Sequence, residues 1–476
     1  MIHMKDYNMS AIDIQKLNLK FPEAPSKLFT DLNISVESGE KVLLLGPSGS
    51  GKSTLLHVMG GLIPQVIHTP MKAETLNIPK NNAYVFQDPD SQFTMPTVAE
   101  ELAFILENRS IPKENMELMM MEALGQTGLD VPLTLNINNL SGGMKQKLAI
   151  ASALLQKPDT LFLDEPTSML DDESAASLWN VIEGIWSDRT VVIVEHRVDY
   201  IWDKVDRVIL MNDSAQIIHE GKPDDVLKHH KQLLNDYGVW HPDSWQEAPE
   251  FDLIQPDNEV LLELKNLRIE RRGMDILNVD HLTIKKGEWV TLEGKNGTGK
   301  SSLLSAIMKL IPVDGAVYYK SKRIKKTKQF AGEVYPVFQN PELQFITHKV
   351  FDEIFINMEP HFEYTEAMRQ TEIILKQMGL NSVAHLHPLE ISTGQQRRLS
   401  VATALGGVPK VLLLDEPTFG LDQKHAFRLL RMFHEMTAVG TTIIMITHDE
   451  NIKIRYPGRR LIIENQMLRE KMTDYV

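Results

Sequence analysis

The chain has no cysteine. That absence removes disulfides, thiolate zinc sites and iron–sulfur clusters together, and it fits a cytosolic protein. Long apolar runs are also missing. None approaches the roughly 18–20 residues that a membrane span needs, so a role in transport requires a separate membrane subunit. Basic residues are outnumbered: 50 Lys and Arg against 64 Asp and Glu give a net charge of −14. This speaks against nucleic acid as a partner, because phosphate contacts supply most of that affinity. The start, MIHMKDYNMSAIDIQK, lacks the basic end, apolar stretch and cleavage site of a signal peptide. What is present, 42% hydrophobic and 24% charged residues, is the balance of a soluble globular protein.

Length alone, 476 residues, suggests about three domains. An internal repeat overrides that and says two, each large enough to bury its own core. GPSGSGKS at residues 46–53 recurs as GKNGTGKS at residues 294–301, and both fit the G-x-x-x-x-G-K-[ST] phosphate loop. Downstream motifs recur in the same order at nearly the same offset. FQDPDSQF from Phe86 returns as FQNPELQF from Phe338, LSGGM from Leu140 as ISTGQ from Ile391, LFLDEP from Leu161 as LLLDEP from Leu412, and His196 as His448. The expected boundaries are residues 1–230 and 259–476. A proline-containing acidic linker is expected over 231–258.

Each phosphate loop lies between an apolar run (VLLLG, WVTLEG) and a helix-forming stretch, which reads as strand, loop, helix. TLFLDEP, TVVIVEH, VLLLDEP and TTIIMITH are short runs apolar on both faces, as in a buried, mainly parallel sheet covered by helices. ENMELMMMEALGQTGL and EAMRQTEIILKQMGL read as amphipathic helices ending at Gly, with the methionines packing the core. YYKSKRIKKTKQ, residues 318–329, is the one dense basic run. It reads as a solvated hairpin, or else as a contact for a lipid headgroup or nucleic acid.

In such a loop the glycines let successive backbone N–H groups point at phosphates. The candidate binding residues are Gly46, Pro47, Ser48, Gly49, Ser50, Gly51, Lys52, Ser53 and Thr54. In the second copy they are Gly294, Lys295, Asn296, Gly297, Thr298, Gly299, Lys300, Ser301 and Ser302. Lys52 and Lys300 place a charge against the phosphates, and Ser53 and Ser301 are hydroxyl ligands for Mg²⁺. Asp164 and Asp415 end buried runs beside the loop and are the carboxylates for the same ion. Glu165 and Glu416 follow them and can polarise an attacking water. A buried strand end is an expensive place for two adjacent acids, which disfavours a plain surface ion pair. His196 and His448, repeated after apolar runs, are read as γ-phosphate contacts. Gln87 and Gln339 can touch both Mg²⁺ and the attacking water.

With LSGGM beside the acidic strand, the chain resembles ABC-type ATPases. The resemblance covers nearly the whole chain except the linker. It implies two α/β P-loop domains, each with a mainly parallel core sheet, an antiparallel β portion and a helical subdomain, and with ATP and Mg²⁺ as cofactors. It also implies that the two halves form an intramolecular pseudo-dimer, each P-loop meeting the signature of the other half. Residues of the first half would face Ser392, Thr393, Gly394 and Gln395, and those of the second would face Ser141, Gly142, Gly143 and Met144. Asp171 and Asp422 would be the D-loop aspartates. Thr393 and Met144 depart from the LSGGQ pattern, yet no catalytic carboxylate or switch histidine is lost, so both sites are expected to hydrolyse ATP. Phe21 stands where the family puts a ring that stacks on adenine. Its ungapped equivalent is Ile269, so the two sites are expected to differ in nucleotide affinity.

The proline and Gln-Phe after each glutamine loop are similar to those in the ATPases of energy-coupling factor importers, which take up vitamins, vitamin precursors and transition-metal ions. The fused form looks like the ATPases of thiamine-precursor importers. That resemblance implies integral membrane partners, a coupling subunit and a substrate-binding subunit. It makes Gln92, Phe93, Gln344 and Phe345 candidates for the groove that receives coupling helices, with ordinary loop anchoring as the alternative. It places the protein peripherally, on the cytoplasmic face of the membrane. Two other readings remain: a tandem ATPase of a sugar-type importer, and a ribosome-associated tandem ABC protein.

Overall fold

Two units divide the chain: residues 1–244 with 422–424, and residues 245–421 with 425–476. The structure is a computed structural model and describes residues 10–471 apart from 23, 25, 169, 253, 272, 331 and 457.

In unit 1 the alternating pattern of the first segment forms β1 (Ser10–Leu19) and β2 (Phe29–Glu37), an antiparallel pair that buries Ile12, Ile14, Leu17 and Leu19 on one face. Then come β3 (Lys41–Leu45), α1 (Lys52–Met59), β4 (Met71–Lys72), β5 (Thr75–Asn77) and β6 (Asn82–Val85). A helical layer follows: α2 (Val98–Asn108), α3 (Lys113–Gln126) and α4 (Gly142–Leu155). The unit continues with β7 (Thr160–Asp164), α5 (Asp172–Ile185), β8 (Thr190–Val194), β9 (Arg207–Met211), β10 (Ile217–Gly221) and α6 (Pro223–Asp236). The core sheet runs β10-β9-β3-β8-β7-β6, parallel from β9 to β6 with β10 antiparallel at the edge. Strands β7 and β8 are buried throughout, which is why they carry no polar alternation. The second sheet holds β2-β1-β4, with β5 also on β1.

Met120 is buried in α3 with Met116 and Met119 packed beside it, while Met121 is exposed. Met116, Met119 and Met120 thus pack the helical layer and Met121 does not. Helix α3 stops at Thr127, and Gly128 follows in the left-handed region.

Unit 2 repeats the plan. Its strands are β11 (Val260–Arg271), β12 (Met274–Lys285), β13 (Trp289–Glu293), β14 (Asp314–Tyr319), β15 (Lys322–Ile324), β16 (Val334–Val337), β17 (Val411–Asp415), β18 (Thr442–Ile446), β19 (Arg459–Glu464) and β20 (Met467–Lys471). Its helices are α7 (Lys300–Ile307), α8 (Val350–Met358), α9 (Tyr364–Met378), α10 (Thr393–Gly406), α11 (Gln423–Ala438) and α12 (Glu450–Arg455). One sheet of ten strands runs β15-β14-β11-β12-β20-β19-β13-β18-β17-β16. The basic run forms the β14–β15 hairpin, turning at Lys320 and Ser321, both at positive φ.

Helix α6 extends into the segment expected as linker. Farther along that segment, Phe251 stacks on His434 at 4.2 Å between ring centroids, and Tyr456 donates to the Pro249 carbonyl at 2.9 Å. These residues are packed on unit 2.

Trp179 of α5 is 1% exposed in the core of unit 1. Trp179→Ala is expected to lower unit 1 stability by about 3–5 kcal/mol through the cavity it leaves. Denaturant unfolding followed by circular dichroism checks this.

Candidate active sites

Both phosphate loops leave the C-terminal end of a central strand, β3 or β13, where open α/β sheets bind ligands. Gly46 sits with φ +156, and a Cβ there would meet the Met211 carbonyl at 2.8 Å, so no side chain fits. Gly49 sits with φ +86 and has nothing within 4 Å of where a Cβ would be. Open space lies beside Gly49, and a loop of this kind at a helix N-terminus can cradle a phosphate group. Lys52 is 6% exposed, and its ammonium donates to the carbonyls of Gly46 (2.8 Å) and Pro47 (3.0 Å). Lys300 makes the same pair of bonds, to Gly294 (2.6 Å) and Lys295 (3.1 Å). Burial holds the Lys52 amine below the usual lysine value, opposed by the charge of Glu165.

The Ser53 hydroxyl donates to Asp164 Oδ1 at 2.9 Å, and Ser301 bonds Asp415 in unit 2. Burial and the neighbouring Glu165 push Asp164 up to about 6, while the Ser53 bond and Lys52 oppose them. Burial also raises Asp415. A hydroxyl and a single carboxylate fit Mg²⁺, which keeps waters and phosphate oxygens as its remaining ligands. No denser cluster of metal-binding side chains occurs among the described residues.

Glu165 and Glu416 stand in the left-handed region, φ 46 and φ 53. Their N–H groups donate to Val194 (2.8 Å) and Ile446 (3.0 Å), closing β7 on β8 and β17 on β18. In unit 1, Gln87 donates to Glu165 Oε2 at 2.8 Å and His196 Nε2 lies 3.3 Å from Oε1. Burial raises the Glu165 carboxyl, but the charge and hydrogen bond of His196 and the charge of Lys52 outweigh it and bring it below the ordinary value. His196 is raised in return: Glu165 outweighs the burial that lowers it. In unit 2, His448 Nε2 is 3.6 Å from Glu416 Oε1, and among the described residues Gln339 makes no bond to Glu416. Burial and Asp415 push Glu416 up to about 8.

Both signature serines cap helices. Ser141 accepts from the Met144 N–H at the start of α4, and Ser392 from the Gln395 N–H at the start of α10. Gln395 returns a bond to Ser392 N–H at 2.9 Å and closes a capping box, which Met144 cannot do. Gly142 and Thr393 each occupy the first helical position with ordinary negative φ, so Thr393 brings no backbone strain. Gly143 and Gly394 follow within the same helices, whose N-termini carry free N–H groups suited to anions. Asp171 caps α5 by accepting from Ser174 N–H at 2.8 Å. Asp422 is 3% exposed, immediately before α11.

Pairing register reveals a residue that ungapped alignment misses. Leu19 pairs with Phe29, and Ile269 pairs with Leu277. Leu19 and Ile269 are both 1% exposed, and both strands carry a positive-φ residue three positions earlier, Lys16 and Asn266. Ile269 is thus the counterpart of Leu19, and Arg271 the counterpart of Phe21. The β11–β12 hairpin is shorter by two residues, which hides this. Phe21 is exposed, as a stacking ring requires. Arg271 lines a cavity of about 740 Å³ in unit 2 with Ile276, Ser301 and Ser302. A guanidinium plane can stack on a base as a ring does.

The segment after each glutamine loop is anchored from below. Glu101 accepts from the N–H groups of Thr94 and Met95, both at 2.9 Å, and Glu353 accepts from those of Ile346 and Thr347. Gln344 bonds Ser400 of α10 through its amide nitrogen (2.8 Å) and oxygen (2.6 Å), and also contacts the Thr403 hydroxyl. Gln92 reaches the Tyr84 carbonyl at 3.4 Å, and Phe93 is half-buried against both the sheet core and the helical layer. Phe345 is half-buried as well.

A protein-family model described as ABC transporter matches residues 29–168 and 277–419. "Putative HMP/thiamine import ATP-binding protein YkoD" of Bacillus subtilis (strain 168) is 34% identical, over 95% of this chain and 90% of its own length. "Putative ABC transporter ATP-binding protein SAG1633" of Streptococcus agalactiae serotype V is 31% identical, over 98% of this chain and 90% of its own. Among solved structures, an archaeal ribosome recycling factor in complex with a ribosomal stalk protein aligns with a TM-score of 0.62 at 20% identity. It covers 93% of this chain and 86% of that one, a likeness of fold alone.

Phe21→Ala is expected to weaken ATP binding at unit 1 and Arg271→Ala at unit 2, each by about 1–3 kcal/mol, the worth of a base stack. Ile269→Ala is expected instead to lower stability by about 2–5 kcal/mol, with a smaller loss of binding than Arg271→Ala. Nucleotide titration beside thermal melting separates the two effects.

Proposed function

The chain belongs to the ABC transporter family and is an ATP-binding protein with ATPase activity, and on that premise we propose that it powers an importer of the energy-coupling factor type. Its cargo would be a vitamin, a vitamin precursor or a metal ion, carried by separate membrane subunits. The name of the Bacillus subtilis relative supports a thiamine precursor. No helix among the described residues is long and apolar enough to cross a membrane, so the proposal requires a partner that spans it. The protein would then lie on the cytoplasmic face.

In each half the loop N–H groups and Lys52 or Lys300 bind the phosphates. Mg²⁺, held by Ser53, Asp164 and Gln87 or by Ser301, Asp415 and Gln339, would neutralise charge on the β- and γ-oxygens. Glu165 and Glu416 orient the attacking water and accept its proton. His196 and His448, held against these acids, contact the γ-phosphate. Hydrolysis is coupled to transport through the different affinity of ATP for closed and open pairs of halves.

One observation carries the partner assignment. Leu343 and Ile346, beside Gln344 and Phe345, are 75% and 76% exposed on a loop that Glu353 and α10 hold rigid. An anchored loop presenting two neighbouring large apolar side chains suits a partner helix. The equivalents in unit 1 are Ser91 and Thr94, so the proposed docking is stronger on unit 2. Both P-loops are intact, which favours this reading over a sugar-type tandem ATPase.

Affinity purification from detergent-solubilised membranes tests the proposal. A polytopic subunit with a small membrane-embedded binding protein is the expected result, lost in Leu343→Glu/Ile346→Glu while the ATPase of the isolated protein is unchanged. Ribosomal proteins without any membrane partner would overturn it.

The two acids predict different behaviour near pH 8. Glu416 sits at about 8, so its basic form grows as pH rises through that value. Glu165 is already ionised there. In single-turnover hydrolysis, the Glu165→Gln variant is expected to gain rate about fivefold or more between about pH 7 and 9. The Glu416→Gln variant is expected to lack that limb.

A further inference from the structure

A third buried carboxylate stands beside Glu165 and His196, and unit 2 has no counterpart to it. Glu195 follows β8 and is 2% exposed. Its Oε2 accepts from the Thr167 hydroxyl at 2.6 Å, and its Oε1 from the backbone N–H groups of His196 (2.8 Å) and Arg197 (3.2 Å). Thr167 lies on the turn that carries Glu165. Glu195 therefore ties the turn of the catalytic acid to the turn of the switch histidine.

The equivalent residue of unit 2 is Thr447, also 2% exposed. Its hydroxyl accepts from Asp449 N–H at 3.2 Å, and the N–H of His448 donates to Glu416 Oε2 at 3.4 Å. The same backbone donor thus has different acceptors. In unit 2 the catalytic acid takes it. In unit 1 Glu195 takes it, and Glu165 keeps Oε2 for Gln87 and Oε1 for the His196 ring.

We propose that Glu195 is a positioning residue for ATP hydrolysis in unit 1, anchoring His196 and keeping both oxygens of Glu165 available to side chains. This rests on Glu165 as the acid that orients the attacking water.

The charged groups that face Glu195 are Glu165 from the turn after β7 and His196 from its own turn, while Arg197 reaches it through its backbone N–H. Arg197 pairs with Asp172 at the start of α5, and Lys52 of α1 acts on Glu165. Burial pushes Glu195 up to about 7. The Thr167 bond opposes this, and the charge of Glu165 adds to it. A charged acceptor makes hydrogen bonds roughly twice as strong as a neutral one. As pH falls through about 7, protonation weakens the anchor, and hydrolysis in unit 1 falls with it.

The experiment is single-turnover ATP hydrolysis in the Glu416→Gln background between about pH 5.5 and 9, with ATP affinity and thermal melting measured alongside. With Glu195 present, the rate is expected to inflect near pH 7. Glu195→Gln is expected to abolish that inflection and lower the rate about tenfold at pH 8, with ATP affinity within about twofold. Glu195→Asp keeps an ionisable acceptor and is expected to keep the inflection. An unchanged rate and inflection in Glu195→Gln would overturn the proposal. So would loss of the inflection in Glu195→Asp if the Gln variant does not fold. The Glu165→Gln/Glu416→Gln double variant separates the premise: turnover persisting there defeats the role of Glu165 itself.

Discussion

Two adjacent carboxylates at the end of a wholly buried strand are the constraint around which each unit is organised. Asp164 is 7% exposed at the end of β7, and Glu165 follows it with φ 46. A left-handed backbone at a non-glycine residue costs about 1–3 kcal/mol and survives only where its surroundings over-determine it. Here they do. The Glu165 N–H is held by Val194, one carboxylate bonds Ser53, and the other is held between Gln87 and His196. The phosphate loop supplies the balancing charge, since Lys52 rests on loop carbonyls beside the pair. Desolvation that would otherwise neutralise the acids is met by cations and donors placed for the chemistry.

The two units meet that constraint differently. Unit 1 surrounds Glu165 with side-chain donors and places Glu195 behind them. Unit 2 leaves Glu416 to backbone and histidine, and burial with Asp415 pushes it up to about 8. Unit 2 instead buries a cation nearby. Arg397, 5% exposed, donates to the Phe338 carbonyl at 3.0 Å where Gln146 donates to the Gln87 carbonyl in unit 1. Its charge lowers Asp415 against burial. At Glu416 the His448 N–H, Lys300 and Lys453 oppose burial only in part, whereas His196 and Lys52 outweigh it at Glu165, and this separates the two acids.

The repeat, the phosphate loops and the acidic strand ends were legible in the sequence because their chemistry needs particular residues at fixed spacing. The mainly parallel sheet was legible because strands buried on both faces lose polar alternation. Other features were not. The proposed adenine position of unit 2 slipped by two residues because its hairpin is shorter, and the pairs Leu19–Phe29 and Ile269–Leu277 with the positive-φ residues Lys16 and Asn266 restore the correspondence. Thr393 departs from the family pattern by its type alone. Helical backbone at its position has no need of glycine. Glu195 was not legible because the repeated feature there is the histidine beside it. Its signal was there, a carboxylate in one repeat where the other has threonine.

Several differences between the repeats fall at the candidate sites. Phe21 and Arg271, Gln146 and Arg397, Glu195 and Thr447 all bear on the proposed base platform or on the carboxylates, while the strands that position them keep one register. Two copies in one chain allow a substitution to alter one site and leave the other untouched, which two identical subunits cannot do. A buried acid such as Glu195 is tolerable only because Thr167 and two backbone N–H groups satisfy it. Such a group is retained at the expense of desolvation, and a threonine does the packing as well, as unit 2 demonstrates. The physical economy of the position therefore favours threonine, and the presence of glutamate points to a requirement in the chemistry of unit 1 that packing does not impose.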